Sequence, residues 1–185
     1  MSVPVSKQVL ESLAQISTAT ACWTLYTMGV YNTYMKGLKP LAPLGLGNRL
    51  VGRAFTMRWI PYREDLEESG LAVVNNESAF RRAIETIEPG DVFVLDALGD
   101  LDSGTLGDIL SARVKYRGAV AAVVDGAVRD GPYIREVGLP TFVKGIHPSA
   151  GKMGIQRKCE RRIKPTLDTI PIHGNFLCFS PNRDT

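Results

Sequence analysis

Histidine and cysteine are scarce in this chain, two of the first and three of the second among 185 residues. Cys22, Cys159 and Cys178 are odd in number and form no C-x-x-C pair, which excludes a disulfide framework and a thiolate zinc site. His147, in Gly145-Ile-His-Pro148, follows a predicted strand and reads as a surface or core residue, and His173 has no partner motif. No apolar run approaches the roughly 18–20 residues of a membrane span. The opening Met1-Ser-Val-Pro-Val-Ser-Lys7 lacks the charged-then-apolar layout of a signal peptide, so a cytoplasmic setting is expected and no membrane partner. A G-x-G-x-x-G fingerprint is absent, as is any glycine loop suited to S-adenosylmethionine, so nucleotide-cofactor and methyl-transfer readings have no residues behind them.

The net charge of +3 is too small to argue nucleic-acid binding for the whole chain. The local excess at Lys152, Arg157, Lys158, Arg161, Arg162 and Lys164, opposed by Glu160 alone, reads as a solvated face. It has no interleaved aromatics on which bases could stack. Hydrophobic content of 44% and charged content of 22% are those of an ordinary globular protein with one core.

The pattern along the chain is that of an α/β fold. Helices are predicted over about 6–14 and from 18–20 to before Gly29, the second with Trp23, Tyr26 and Thr27 around its surface. Lys39-Pro-Leu-Ala-Pro-Leu-Gly-Leu-Gly47 is a connector. Val51 to Trp59 alternates, with Val51, Phe55, Met57 and Trp59 on one side and Ala54, Thr56 and Arg58 on the other, as in a half-buried strand. Glu77 to Ile87 carries Phe80, Ile84 and Ile87 on one helical stripe. Strand 92–95, helix 106–116, strand 119–124, helix 131–137 and strand 141–144 then alternate, the β-α-β-α-β order of a partly parallel sheet. Thr169 to Phe179 has room for a strand or two.

The most informative run is Gly118-Ala-Val-Ala-Ala-Val-Val-Asp-Gly-Ala-Val-Arg-Asp130. Its apolar stretch is expected to stop at Asp125-Gly126 and to deliver Arg129 and Asp130 just past a turn. An adjacent cation and anion there can fork onto a carboxylate and ligate a hard metal. The competing reading makes Asp130 the N-cap of the next helix, with Pro132 in its first turn. Asp108 lies 21 positions before Arg129, in Gly104-Thr-Leu-Gly-Asp-Ile-Leu-Ser-Ala-Arg-Val-Lys-Tyr116. There Leu106, Ile109, Leu110 and Val114 fall at helical spacing after a glycine-rich loop. Free N–H groups at that helix start favour an anion, and both segments flank one strand, so they can converge at its carboxyl end. Asp96 and Asp125 read as strand-end residues, and Asp100 and Asp102 as solvated loop acids.

Asp108-x20-Arg129-Asp130, inside the long Val-Asp-Gly-Ala-Val-Arg-Asp match, resembles the class II pyruvate aldolases related to the regulator of ribonuclease activity A. This group includes 4-hydroxy-4-methyl-2-oxoglutarate/4-carboxy-4-hydroxy-2-oxoadipate aldolase. Leu50–Arg58, Pro89–Asp96 with Gly99-Asp100, and Pro140–Pro148 are similar too. The resemblance covers about residues 8–148 and suggests a domain over 1–148, followed by a divergent or truncated basic segment over 149–185. It implies a swivelling β/β/α domain, with N-terminal helices, assembled as a homotrimer or hexamer. It also implies a lyase that forms a pyruvate enolate from a small 2-oxo acid, by retro-aldol cleavage or by decarboxylation of oxaloacetate. Asp130 would ligate Mg²⁺ or Mn²⁺ directly and Asp108 would hold one of the metal's waters, the expected proton carrier. Arg129 would grip the substrate, and backbone amides of Leu106, Gly107, Asp108, Ile109 and Leu110 would take the rest of its carboxylate. A further acid reaches the metal from a neighbouring subunit in the family; Glu160 and Asp168 are the nearest stand-ins here. The family's other role, binding and inhibiting an RNA-degrading enzyme without catalysis, is the alternative.

Overall fold

The structure, a computed structural model, describes residues 6–44, 49–59, 79–149, 169–172 and 176–179. The basic run 152–164, Glu160, Asp168 and His173 lie outside the described residues. Two short helices open it, α1 (Lys7–Leu13) and α2 (Thr18–Thr27), each started by a serine N-cap, Ser6 accepting from Val9 N and Ser17 from Thr20 N. The alternating part follows: β1 (Lys39–Pro40), β2 (Leu50–Arg58), α3 (Ala79–Ile84), β3 (Asp91–Asp96), α4 (Asp108–Tyr116), β4 (Ala121–Val128), α5 (Gly131–Val137) and β5 (Thr141–Ile146). Strands β6 (Thr169–Ile172) and β7 (Phe176–Phe179) complete a seven-stranded sheet of order β1-β5-β4-β3-β2-β7-β6. Pairing is parallel from β7 through β2, β3 and β4 to β5, and antiparallel at the two edges. The predicted α/β class and partly parallel sheet are what the chain adopts.

Strict alternation along β3 and β4 separates two cores. Phe93, Leu95, Ala122 and Val124 face Ile84, Val114 and Ile134 of the three crossover helices. Val92, Val94, Ala121 and Val123 face the other way, onto Leu38 and Phe142. Both central strands are buried on both faces, as parallel strands under crossover helices must be. Strand β2 does the same with Phe55, Met57 and Trp59 on the helix side and Leu50 and Ala54 on the other. The stripe of Phe80, Ile84 and Ile87 packs inward as expected.

Two expectations need correction. Strand β4 does not stop at Asp125-Gly126: it runs to Val128, and its register against β5 shifts between Val124 and Ala127. The glycine accommodates an irregularity within the ladder rather than a turn. Ile109 does not join the buried stripe of α4. It is 73% exposed, because the helix starts at Asp108 and turns Leu110, Ser111 and Val114 inward.

Candidate functional site

The carboxyl end of β4 outlasts its neighbour β3, whose last paired residue is Asp96, opposite Asp125. From there the loop before α4 takes over β3's hydrogen bonds. Gly99 N donates to Asp125 O, Ala127 N to Asp100 O, Thr105 N to Ala127 O, and Arg129 N to Leu106 O, at 2.9–3.0 Å. The Thr105 hydroxyl adds a 2.9 Å bond to the same Ala127 carbonyl. On the other side His147 N donates to Val128 O. Arg129 and Asp130 thus emerge from a strand end gripped on both flanks, beside the amino end of α4.

The approach is close. A Cβ on Gly107 would lie 2.6 Å from Arg129 Nε and 3.0 Å from Asp130 Oδ2, and one on Gly104 would lie 2.7 Å from His147 O and 2.9 Å from Arg129 N. Only glycine leaves room at position 104, where the neighbours include backbone; a Cβ at position 107 would require the Arg129 side chain to move. This explains the glycines of Gly104-Thr-Leu-Gly107 by packing, without any appeal to turn formation.

Asp130 occupies the N-cap position of α5 but does not cap it. Its backbone is left-handed, φ 58° and ψ 33°, and its side chain accepts no bond from the helix. An N-cap normally has extended backbone and a side chain folded over its own N–H groups. A left-handed non-glycine residue costs roughly 1–2 kcal/mol, less for aspartate than for most. The carboxylate is instead turned toward Arg129, with Nε–Oδ2 at 3.4 Å and both side chains more than a third exposed. That separation is too long for a tight forked pair, so the guanidinium edge stays open to a ligand.

Asp108 is the first residue of α4, after Gly107, which as N-cap supplies no side chain. One Asp108 oxygen accepts from Ile109 N at 2.8 Å, a bond that a purely structural acid would also make. Leu106 is fully buried and anchors the loop; its contribution to the corner is its carbonyl. Leu110 is partly buried against the core. Of the predicted residues, Gly107 lies in contact range of both Arg129 and Asp130 and Leu106 O accepts from Arg129 N, whereas Ile109 and Leu110 line the cavity between α3 and α4.

Three neighbouring acids are engaged elsewhere. Asp96 accepts from Arg58 Nε at 2.7 Å and from Leu98 N at 2.9 Å, and Asp125 pairs with Lys144 at 2.5 Å. Asp100 caps its own loop by accepting from Asp102 N. Among the described residues no group of three His, Cys, Asp or Glu stands ready to hold a metal, so Asp108 and Asp130 are the acids this corner can offer. Carboxylate oxygens are the ligand type a hard divalent cation takes, while the Arg129 guanidinium, itself a cation, suits an anionic group. His147, read from the sequence as a surface or core residue, is half-buried, its backbone abutting Gly104 and its Nδ1 accepting from Ser149 N at 3.1 Å. The parallel register of β5 beside β4 was the only signal of this placement. Two cavities, one of about 290 Å³ against α2 and one of about 700 Å³ between α3 and α4, have no wall formed by Asp108, Arg129 or Asp130. Among the described residues the Arg129–Asp130 pair lies at an open rim, both side chains more than a third exposed.

Comparison with known proteins gives consistent results. A family model described as RraA-like, Aldolase/RraA, matches residues 13–168. Protein DlpA of Legionella pneumophila is 30% identical over 147 residues, 80% of this chain and 22% of that protein. A protein of Halalkalibacterium halodurans named "Putative 4-hydroxy-4-methyl-2-oxoglutarate aldolase" is 30% identical over 112 residues, 60% of this chain and 47% of its own length. The chain thus spans less than half of either relative. Among solved structures, RraAS2 of Streptomyces coelicolor, described as an unusual member of the RNase ES inhibitor RraA protein family, is similar at a TM-score of 0.72 and 29% identity. That match covers 97% of this chain and 80% of the other.

Proposed function

The chain belongs to the RraA-like family, Aldolase/RraA, and from that premise we propose that it is a divalent-metal-dependent lyase acting on pyruvate-derived 2-oxo acids. The observation that carries this reading is Asp130: a carboxylate held in left-handed backbone, unused as a cap, beside an open arginine fork. Strain of that kind persists where the surroundings impose it, and it concentrates at functional sites.

Cleavage of the C3–C4 bond of a 4-hydroxy-2-oxo acid, or loss of CO₂ from oxaloacetate, leaves the electron pair on pyruvate as its enolate, which then takes a proton at C3. In this chain the Arg129 fork receives the substrate carboxylate and keto oxygen in two-pronged fashion. Of the first-turn amides of α4, those of Gly107, Asp108 and Leu110 would face the remaining carboxylate charge, Ile109 N being taken by Asp108. Asp130 would hold Mg²⁺ or Mn²⁺, with Asp108 acting through water. When bound, the cation supplies Lewis-acid stabilisation to the developing oxyanion. Asp108 supports this reading over the RNase-inhibitor role described for a relative, because an enolate-forming site needs a second acid and a docking surface does not. The open rim fits a site completed by a neighbouring copy in a trimer or hexamer, in the reducing cytoplasm.

Pyruvate release from oxaloacetate and from a panel of 4-hydroxy-2-oxo acids, with Mg²⁺ or with EDTA, tests the proposal. Release above the protein-free rate that needs the metal is expected. Turnover that resists EDTA, or a substrate adduct trapped by borohydride, would point to a different chemistry.

A further inference from the structure

The chain carries no acidic residue from Ser12 to Trp59, while Lys36, Lys39, Arg49, Arg53 and Arg58 fall within that stretch. Arg53 is paired with Asp91 and Glu88, and Arg58 with Asp96. Lys36 and Lys39 are exposed and form no ion pair among the described residues. Beside Lys36 lies a strip of exposed rings. Trp23 is 67% exposed, Tyr26 56%, Tyr31 59% and Tyr34 46%. Trp23 and Tyr26 are stacked at 5.7 Å, one helical turn apart on α2, and Tyr31 meets Tyr26 edge-on at 5.2 Å. The cavity of about 290 Å³ at this strip is walled by Tyr26, Tyr31, Tyr34, Asn32 and Lys36 among others, with no acid in the wall.

Large rings left open to water are costly, and a protein seldom clusters them without an occupant. Rings with no acid beside them and lysines with no ion pair, among the described residues, suit one chemistry: planar bases that stack, joined by phosphates that lysine neutralises. We propose that the α2 face and the 31–36 segment bind single-stranded nucleic acid, with bases on Trp23, Tyr26 and Tyr31 and phosphates at Lys36 and Lys39. The surface is separate from the Arg129–Asp130 corner and does not depend on the lyase reading.

Trp23 reports on its own surface, because the other tryptophan, Trp59, is 9% exposed. A short mixed-sequence single-stranded oligonucleotide should quench tryptophan emission saturably, and Trp23→Phe should abolish most of that signal. By anisotropy of a labelled strand, Tyr26→Ala and Trp23→Ala should each weaken binding roughly tenfold, the range of one stacked base. Lys36→Ala should lower the salt slope by about 0.7, one phosphate contact on a single strand. A duplex of the same sequence should bind more weakly. Absence of quenching, equal binding of duplex, or loss of binding only when the 152–164 lysines are replaced would each overturn the proposal. Quenching that tracks protein concentration without oligonucleotide would overturn it as well, since a second copy would then be the occupant. Melting curves of the Trp23, Tyr26 and Lys36 variants, all at exposed positions, confirm that the fold is kept.

Discussion

At the scale of single residues, the account turns on Asp130 and Arg129 doing different things. Asp130 accepts a backbone conformation that glycine takes freely, so Asp130→Gly should melt at or above the wild-type temperature, by up to about 1 kcal/mol of stability, while losing metal binding. A stabilising cap would predict the reverse, a lower melting temperature on the order of 0.5–2 kcal/mol for Asp130→Ala. Arg129→Lys keeps charge but loses the planar fork. Its KM for the 2-oxo acid should rise and its kcat fall while metal affinity stays near the wild-type value; a matching loss of metal affinity would mean that Arg129 holds Asp130 rather than substrate. This much was legible beforehand: an adjacent Arg-Asp after a buried strand is a local pattern. That Asp130 leaves its own helix uncapped was not, because a left-handed aspartate and an extended one are spelled identically.

Among the elements, the loop 99–106 matters most and was the hardest to read. Gly99-Asp-Leu-Asp-Ser-Gly104 has the composition of a solvated loop, yet its backbone replaces β3 along the end of β4. That pairing is non-local and leaves no period in the sequence. For the same reason Asp125-Gly126 resembles a strand end although the strand continues through it. The glycines of this loop separate two effects. Gly104→Ala would drive a methyl into the His147 carbonyl and the Arg129 amide, both backbone, and should cost about 1–3 kcal/mol in denaturant melts. Gly107→Ala meets chiefly the Arg129 side chain, which can move, so stability should change less while substrate affinity drops. Equal stability losses would show that the two approaches are of one kind. Helices α3 and α4 are tied by Glu85, just past α3, accepting from Arg113 Nε at 2.7 Å and from a second guanidinium nitrogen at 2.5 Å. The Arg113 hydrogen bonds hold the Glu85 carboxyl below its ordinary value of 4.5, against a smaller opposing effect of desolvation. A lowered folded pKa means stability present above the ordinary value and lost as pH falls through the folded one. Wild type should therefore hold a small melting advantage over Glu85→Gln at neutral pH that disappears in acid below 4.5; an advantage growing in acid would contradict the pairing. The pair is exposed, so the effect is modest.

Across the whole molecule, the parallel α/β core follows from the sequence because its elements are legible: buried runs for β3 and β4, and a stripe of Phe80 and Ile84 on α3. The order of the sheet, and the placing of β6 and β7 beyond β2, do not follow, since edge pairings depend on contacts far apart in the chain. The open rim at Arg129–Asp130 bears on assembly. A trimer or hexamer in light scattering is expected, and a fully active monomer would show that one chain completes the site. Calorimetric titration with Mn²⁺ of wild type and Asp130→Ala, in their native assemblies and beside their melting curves, bears most directly on the claim that this corner is a cation site. The account predicts saturable binding by wild type and none by Asp130→Ala, with the variant still folded; Mn²⁺ affinity unchanged by the substitution would contradict it.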